Sequence, residues 1–212
     1  MFKRAILMAG LLTGVCLSSI AGPVVMQPAA KSGTALQPAY DPLQHWEFDI
    51  ESGVIWRVGH DATPLNYTVL VEELTFKSPP VFDIKVGGGD LVLRNRLSIL
   101  IEPIVVGPED YYIGAAGSGS LEWWNASRSF SWFLAAGGGY GYMNSKGYVV
   151  PGAQGRDFNF NWFVYSGLRF RIAEKMSLTA GCLFQHISNR NTNPVNPGLN
   201  AVGPMLGVEW HF

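Results

Sequence analysis

Phe158-Asn159-Phe160-Asn161-Trp162-Phe163-Val164-Tyr165-Ser166-Gly167-Leu168-Arg169-Phe170-Arg171-Ile172 is the stretch that decides the fold. Its even positions carry Phe158, Phe160, Trp162, Val164, Leu168, Phe170 and Ile172; its odd positions include Asn159, Asn161, Gly167, Arg169 and Arg171. One face is greasy and the other is polar or small, which is the period of a β-strand. The run is too long for an ordinary soluble strand. It suits a tilted membrane-spanning strand of ~9–11 residues with a short extension.

The same alternation continues on both sides. Met176, Leu178, Ala180, Cys182 and Phe184 alternate with Ser177, Thr179, Gly181 and Gln185, and Leu206, Val208, Trp210 and Phe212 alternate with Gly207, Glu209 and His211. Upstream, Phe130, Trp132, Leu134 and Ala136 oppose Ser129, Ser131, Gly137, Gly139 and Gly141. Eight segments qualify as strands: 45–58, 66–77, 90–104, 111–124, 128–143, 156–172, 175–188 and 201–212, with 81–86 extending a hairpin or adding strands. The fold class is all-β, an eight-stranded antiparallel transmembrane barrel of the outer-membrane type, narrow enough for side chains to fill. Arg169, Arg171 and Glu209 are expected to pair inside it. Trp46, Trp56, Tyr111, Tyr112, Trp123, Trp124 and Trp210 are candidates for the aromatic girdles. Pro204 must sit near a strand start or a bulge, because it cannot donate to a ladder. The alternative is a soluble barrel or sandwich, and the final Phe212, which resembles an outer-membrane sorting signature, favours the membrane.

Composition agrees. The chain of 212 residues is 48% hydrophobic but only 15% charged, against ~25% charged for an ordinary soluble domain. That excludes a disordered tail. A net charge of −1 argues against nucleic-acid binding. Lys3 and Arg4, the apolar run Ala5 to Ile20 and the small-x-small Ser19-Ile20-Ala21 predict a signal peptide over 1–21, cut after Ala21. Residues 22–42, rich in Pro, Ala, Gln and Ser, are expected to form a periplasmic lead-in, and 43–212 the barrel domain. Cys182 then remains as the one thiol, a small filler facing lipid.

With the N-terminus periplasmic, the first strand runs outward. The links after strands one, three, five and seven are then extracellular and longer. Ala173-Glu174-Lys175 is short, whereas 144–155 and 189–200 are long and rich in Gly, Pro and Asn.

The end of strand seven breaks the pattern. His186 and Ser188 share the parity of Phe184 and Cys182, so they face lipid at the extracellular rim. A hydroxyl two residues from an imidazole on one strand face forms a nucleophile–base pair. Asn200 opens the last strand with the parity of Leu206 and can orient the imidazole from beside it. Asn196, in the intervening loop, can offer its amide to an oxyanion. The bland alternatives are two rim residues capping a strand and, for Asn196-Pro197-Gly198, a simple turn. His45, His60 and His211 have no metal spacing. Gly137-Gly138-Gly139 reads as room for inward bulk, with no helix to make it a phosphate loop. Glu109-Asp110 reads as a turn, or as a calcium-contacting pair.

His186-x-Ser188-Asn189, Asn196-Pro197-Gly198 and a last strand ending in Phe212 together resemble the lipid A 3-O-deacylase (PagL-type) family. Asp157-Phe158-x-Phe160-x-Trp162-Phe163 and Gly107-Pro108-Glu109-Asp110-Tyr111-Tyr112 look like segments of acyloxyacyl hydrolase-related members. The resemblance is best over 156–212. It implies a barrel in the bacterial outer membrane, reached after signal-peptide export, that hydrolyses the ester-linked 3-hydroxyacyl chain of lipid A. It implies Ser188 as nucleophile, His186 as base, and Asn196 with Asn189 at the oxyanion. Lipopolysaccharide is the implied substrate, with no cofactor or metal. One position departs: the family's acidic residue falls on Asn200, which can accept the imidazole N–H but brings no charge. The outer-membrane phospholipase A family resembles this arrangement in using Ser-His-Asn. Two other functions therefore stand beside the first: a non-catalytic structural or recognition barrel, and an outer-membrane phospholipase.

Overall fold

A computed structural model describes residues 40–212 except 61, so the predicted signal peptide and most of the lead-in lie outside the described residues. Nine strands follow one short turn. They are β1 (Glu47–Arg57), β2 (Thr68–Lys77), β3 (Phe82–Val86), β4 (Gly89–Val106), β5 (Tyr111–Asn125), β6 (Phe130–Met143), β7 (Phe158–Ala173), β8 (Met176–Ser188) and β9 (Leu199–His211). Each pairs antiparallel with its neighbour, and β1 pairs with both β2 and β9. The sheet is therefore closed, with eight strands around the ring.

β3 is not a ninth stave. The 18-residue β4 pairs first with β3, Phe82 opposite Leu93, and then with β2, Lys77 opposite Arg96. β2 and β3 act as one stave interrupted at Ser78-Pro79-Pro80, where proline cannot donate to the ladder. Residues 81–86 thus extend the hairpin, turning at Gly87 and Gly88, whose φ values of 59° and 77° favour glycine.

Alternation sorts the side chains as period two demands. Leu97, Ile99, Trp132, Leu134, Trp162, Val164, Leu168, Phe170 and Leu206 are exposed on the outer wall. Inside, the half nearer the β7–β8 turn is ionic. Lys77 Nζ lies 2.8 Å from Glu209, 2.9 Å from Asp49 and 3.2 Å from Glu47. Arg169 bridges Glu122 and Glu209, each at 2.6 Å, while Arg96 meets Glu51 at 3.0 Å and Arg94 contacts Glu47. The opposite half is mainly apolar and aromatic, with Ile55, Val69, Val71, Leu100, Tyr112, Leu183 and Ile187 all buried, and it encloses Glu102, which accepts from Gln185 Nε2 at 2.9 Å. The end of the ionic half is stoppered by a 3-10 turn, Pro42–Gln44, whose Leu43 packs with Val92 and Trp124.

Three expectations are corrected. Tyr112 and Trp124 are not girdle residues but wholly buried inside. Adjacent aromatics cannot both face lipid, and Trp124 has the parity of Glu122, to which its indole N–H donates at 3.0 Å. Arg171 does not pair inside; at the strand end it donates to Ala173 O at 3.2 Å and lies over the Tyr40 ring. Pro204 stands mid-strand opposite Cys182, and the β1–β9 ladder skips from the Gly53–Met205 pair to the Trp56–Val202 pair around it.

Candidate active site

β8 reaches the apolar end of the barrel with His186 and Ser188 on its outer face. Strand register does the positioning. His186 is the direct partner of Trp162 on β7 and of Asn200 on β9, and Ser188 is the partner of Phe160. The side chains therefore stand on three adjacent staves of a closed sheet, a firmer base than a loop.

His186 Nε2 lies 2.9 Å from Ser188 Oγ, and His186 Nδ1 lies 2.6 Å from Asn200 Oδ1. An amide oxygen only accepts, so Nδ1 carries the proton and donates to Asn200. The Nε2 lone pair is then left to accept the Ser188 hydroxyl. That tautomer is the one a general base on serine requires. Ser188 is 9% exposed.

Two further residues fix the ring. Trp162 stacks on the imidazole at 5.6 Å between centroids, 27° between planes, and is itself packed on Phe184 at 5.2 Å. Gly198 sits at φ 69°, and a Cβ there would stand 3.2 Å from His186 Cε1. The glycine of Asn196-Pro197-Gly198 thus serves both the turn and the clearance of the histidine.

The loop between β8 and β9 is closed by its asparagines. Asn189 is wholly buried, donating from Nδ2 to Val195 O and from its backbone N–H to Asn196 Oδ1, each at 2.9 Å. Asn196 Nδ2 donates to Asn191 Oδ1 at 2.8 Å, which leaves it one amide N–H. Thr192 N–H closes on Asn189 O at 3.1 Å, with Arg190 and Asn191 at φ 53° and 59° between them. These are the φ signs of a type I′ turn, which favours Gly and Asn. An arginine held there costs on the order of 1–2 kcal/mol.

Neighbouring loops brace this one. Thr63 N–H donates to Gly198 O at 2.9 Å, and Asn193 Nδ2 to Tyr148 Oη at 2.5 Å. Glu109 accepts from Tyr67 Oη at 2.6 Å and from the Gln154 N–H at 2.8 Å. Burial and that carboxylate push the Tyr67 phenol well above its usual range. Asp110 turns away to bond Asn144, so both adjacent acids tie down the β6–β7 loop, and Glu109 also holds Tyr67 of the β1–β2 loop.

A groove of about 480 Å³ opens on the outer wall beside the histidine. Ser188, His186, Trp162 and Phe160 line one side, Gly138 and Gly139 the other, and Arg190 its rim. Sequence reasoning took the glycines only as inward room and passed over Trp162 and Arg190. Trp162 was recoverable, since it shares the parity of His186 on the neighbouring strand. Elsewhere, Glu47, Glu209 and His211 bring ligand atoms within 4.8 Å of one another, as a cation site would. Lys77, Arg94 and Arg169 already neutralise those carboxylates, which disfavours a metal there.

On the outer wall of the barrel a hydroxyl, an imidazole and an amide stand in one hydrogen-bonded row, an arrangement able to hydrolyse an ester. The family model described as lipid A 3-O-deacylase (PagL) matches residues 32–209, and the chain belongs to that family. A solved structure described as the outer membrane enzyme PagL superposes with a TM-score of 0.51 at 15% identity, covering 76% of this chain and 97% of that one. Neisserial surface protein A has a TM-score of 0.55 at 11% identity, covering 79% and 97%. Both likenesses are of fold. A comparison with curated proteins returns no match. By that family membership the chain is an outer-membrane lipid A deacylase, with lipid A as its substrate and the membrane as its setting.

Proposed function

We propose that Ser188 and His186 carry the 3-O-deacylation of lipid A, with Asn200 orienting the imidazole. Ser188 Oγ attacks the acyl carbonyl while its proton passes to His186 Nε2. The ester C–O bond breaks, and the sugar hydroxyl leaves with that proton. Water, deprotonated by His186 in turn, then releases the 3-hydroxy fatty acid from the acyl-serine. Asn196 offers its remaining amide N–H to the oxyanion, and Asn189 positions Asn196 rather than meeting the substrate. The carrying observation is that His186 bonds Ser188 on one nitrogen and Asn200 on the other, on the wall where acyl chains lie.

The test is the mass of lipid A after incubation with the barrel in detergent–lipid micelles. Wild type should remove one 3-hydroxyacyl chain, and folded Ser188→Ala should remove none. An unchanged product from Ser188→Ala would sink the assignment. Phosphatidylethanolamine offered in parallel separates this activity from a phospholipase.

A further inference from the structure

Among the described arginines, Arg94, Arg96, Arg128 and Arg169 are ion-paired, while Arg57 and Arg171 donate to backbone carbonyls. Among the described residues, Arg190 meets no carboxylate; its guanidinium lies over the Phe160 ring, 5.2 Å from the centroid. It is exposed at the rim of the groove that holds His186 and Ser188. Its backbone occupies a left-handed position where glycine or asparagine would be relaxed. Strain retained under a side chain that has an aromatic ring but no anion against it points outward, to an anionic ligand.

We infer that Arg190 is the anion anchor of the site, taking a phosphate of the glycolipid whose ester faces Ser188. The inference rests on the proposed reaction. Three features fit it. Lying over Phe160, the guanidinium has no carboxylate against its N–H donors, which suits bidentate contact with phosphate oxygens. The ring contact also holds the side chain in place, so less freedom is lost on binding. Finally, Arg190 follows Ser188 by two residues, and lipid A carries a phosphate on the same sugar ring as a 3-O-acyl ester. An arginine at a rim also snorkels to any anionic headgroup, so the assay must tell substrate phosphate from surrounding phospholipid.

Arg190→Gly makes that distinction and relaxes the turn, so poor folding cannot explain a loss. Steady-state deacylation would be measured on bisphosphorylated lipid A, on lipid A lacking either phosphate, and with phosphatidylglycerol added to the micelles. For Arg190→Gly, KM on the bisphosphorylated substrate should rise about tenfold, the scale of a charge-assisted hydrogen-bonded pair, with kcat nearly unchanged. Arg190→Lys should recover part of it. On lipid A lacking the recognised phosphate, wild type and Arg190→Gly should have the same KM. An equal penalty on every substrate form, or one abolished by phosphatidylglycerol alone, would overturn the anchor in favour of general headgroup contact. No penalty at all would overturn it outright. A wild type that leaves lipid A intact would instead defeat the proposed reaction.

Discussion

Asn200 Oδ1 accepts from His186 Nδ1 at 2.6 Å, between residues that face each other directly across the β8–β9 ladder. The contact fixes the tautomer without supplying charge. In the serine-protease triad the Asp→Asn change costs roughly 10⁴ in rate, mainly because the wrong tautomer is held. Here the amide presents its oxygen, so that part of the penalty is avoided and only the missing charge remains.

Asn200→Glu should therefore raise kcat, by about tenfold if the added carboxylate supplies one charge-assisted hydrogen bond to the imidazolium. The same charge favours the protonated ring, so the acid limb of the pH–rate profile should move to higher pH. Asn200→Ala should lower kcat instead. Profiles of the three proteins in the same micelles decide it, and a limb that stays put in Asn200→Glu would mean that residue 200 does not touch the base in solution.

Trp162→Ala should slow turnover by about two- to tenfold, the value of one aromatic stack, while Trp162→Phe keeps most of the rate. The loss should appear in kcat, because the stack holds His186 rather than the lipid. A change confined to KM would instead make Trp162 a substrate contact.

Gly198→Ala combines a left-handed alanine with a methyl 3.2 Å from His186 Cε1. The backbone cost is on the order of 1–2 kcal/mol. Activity should fall while the barrel still folds, which the mobility of unheated samples on SDS gels reports. Full activity in a folded Gly198→Ala would show that the imidazole has room to spare.

Arg169→Leu leaves Glu122 and Glu209 facing each other without their bridge. Breaking a buried pair in this way costs about 3–5 kcal/mol. Urea unfolding in detergent, followed by tryptophan fluorescence, should show an earlier midpoint. The active site stands at the other end of the barrel, so the folded variant should retain its rate.

The alternation at Phe158–Ile172 made the barrel legible, because lipid outside and packed side chains inside leave a strand no other solution. The row His186, Ser188 and Asn200 was legible for the same reason, as polar residues on a greasy parity. Pairs of adjacent aromatics were less so. Tyr111-Tyr112 and Trp123-Trp124 are alike in composition, and only the pleat decides which member turns inward. Pro79-Pro80 marks a break, but only the length of β4 shows that the stave resumes as β3. Trp162 was legible in its parity, but its pairing with His186 depends on cross-strand register, which is not local to either strand. Arg190 was hidden because a left-handed backbone is a property of the closed loop, not of arginine.

The placement of Ser188 on the outer face has a consequence for how turnover is supplied. The hydrolytic water arrives over the rim, from the same aqueous boundary that hydrates the sugar, while the severed chain departs sideways among its neighbours. Water and fatty acid thus travel in different phases, and the height of Ser188 relative to that boundary governs both.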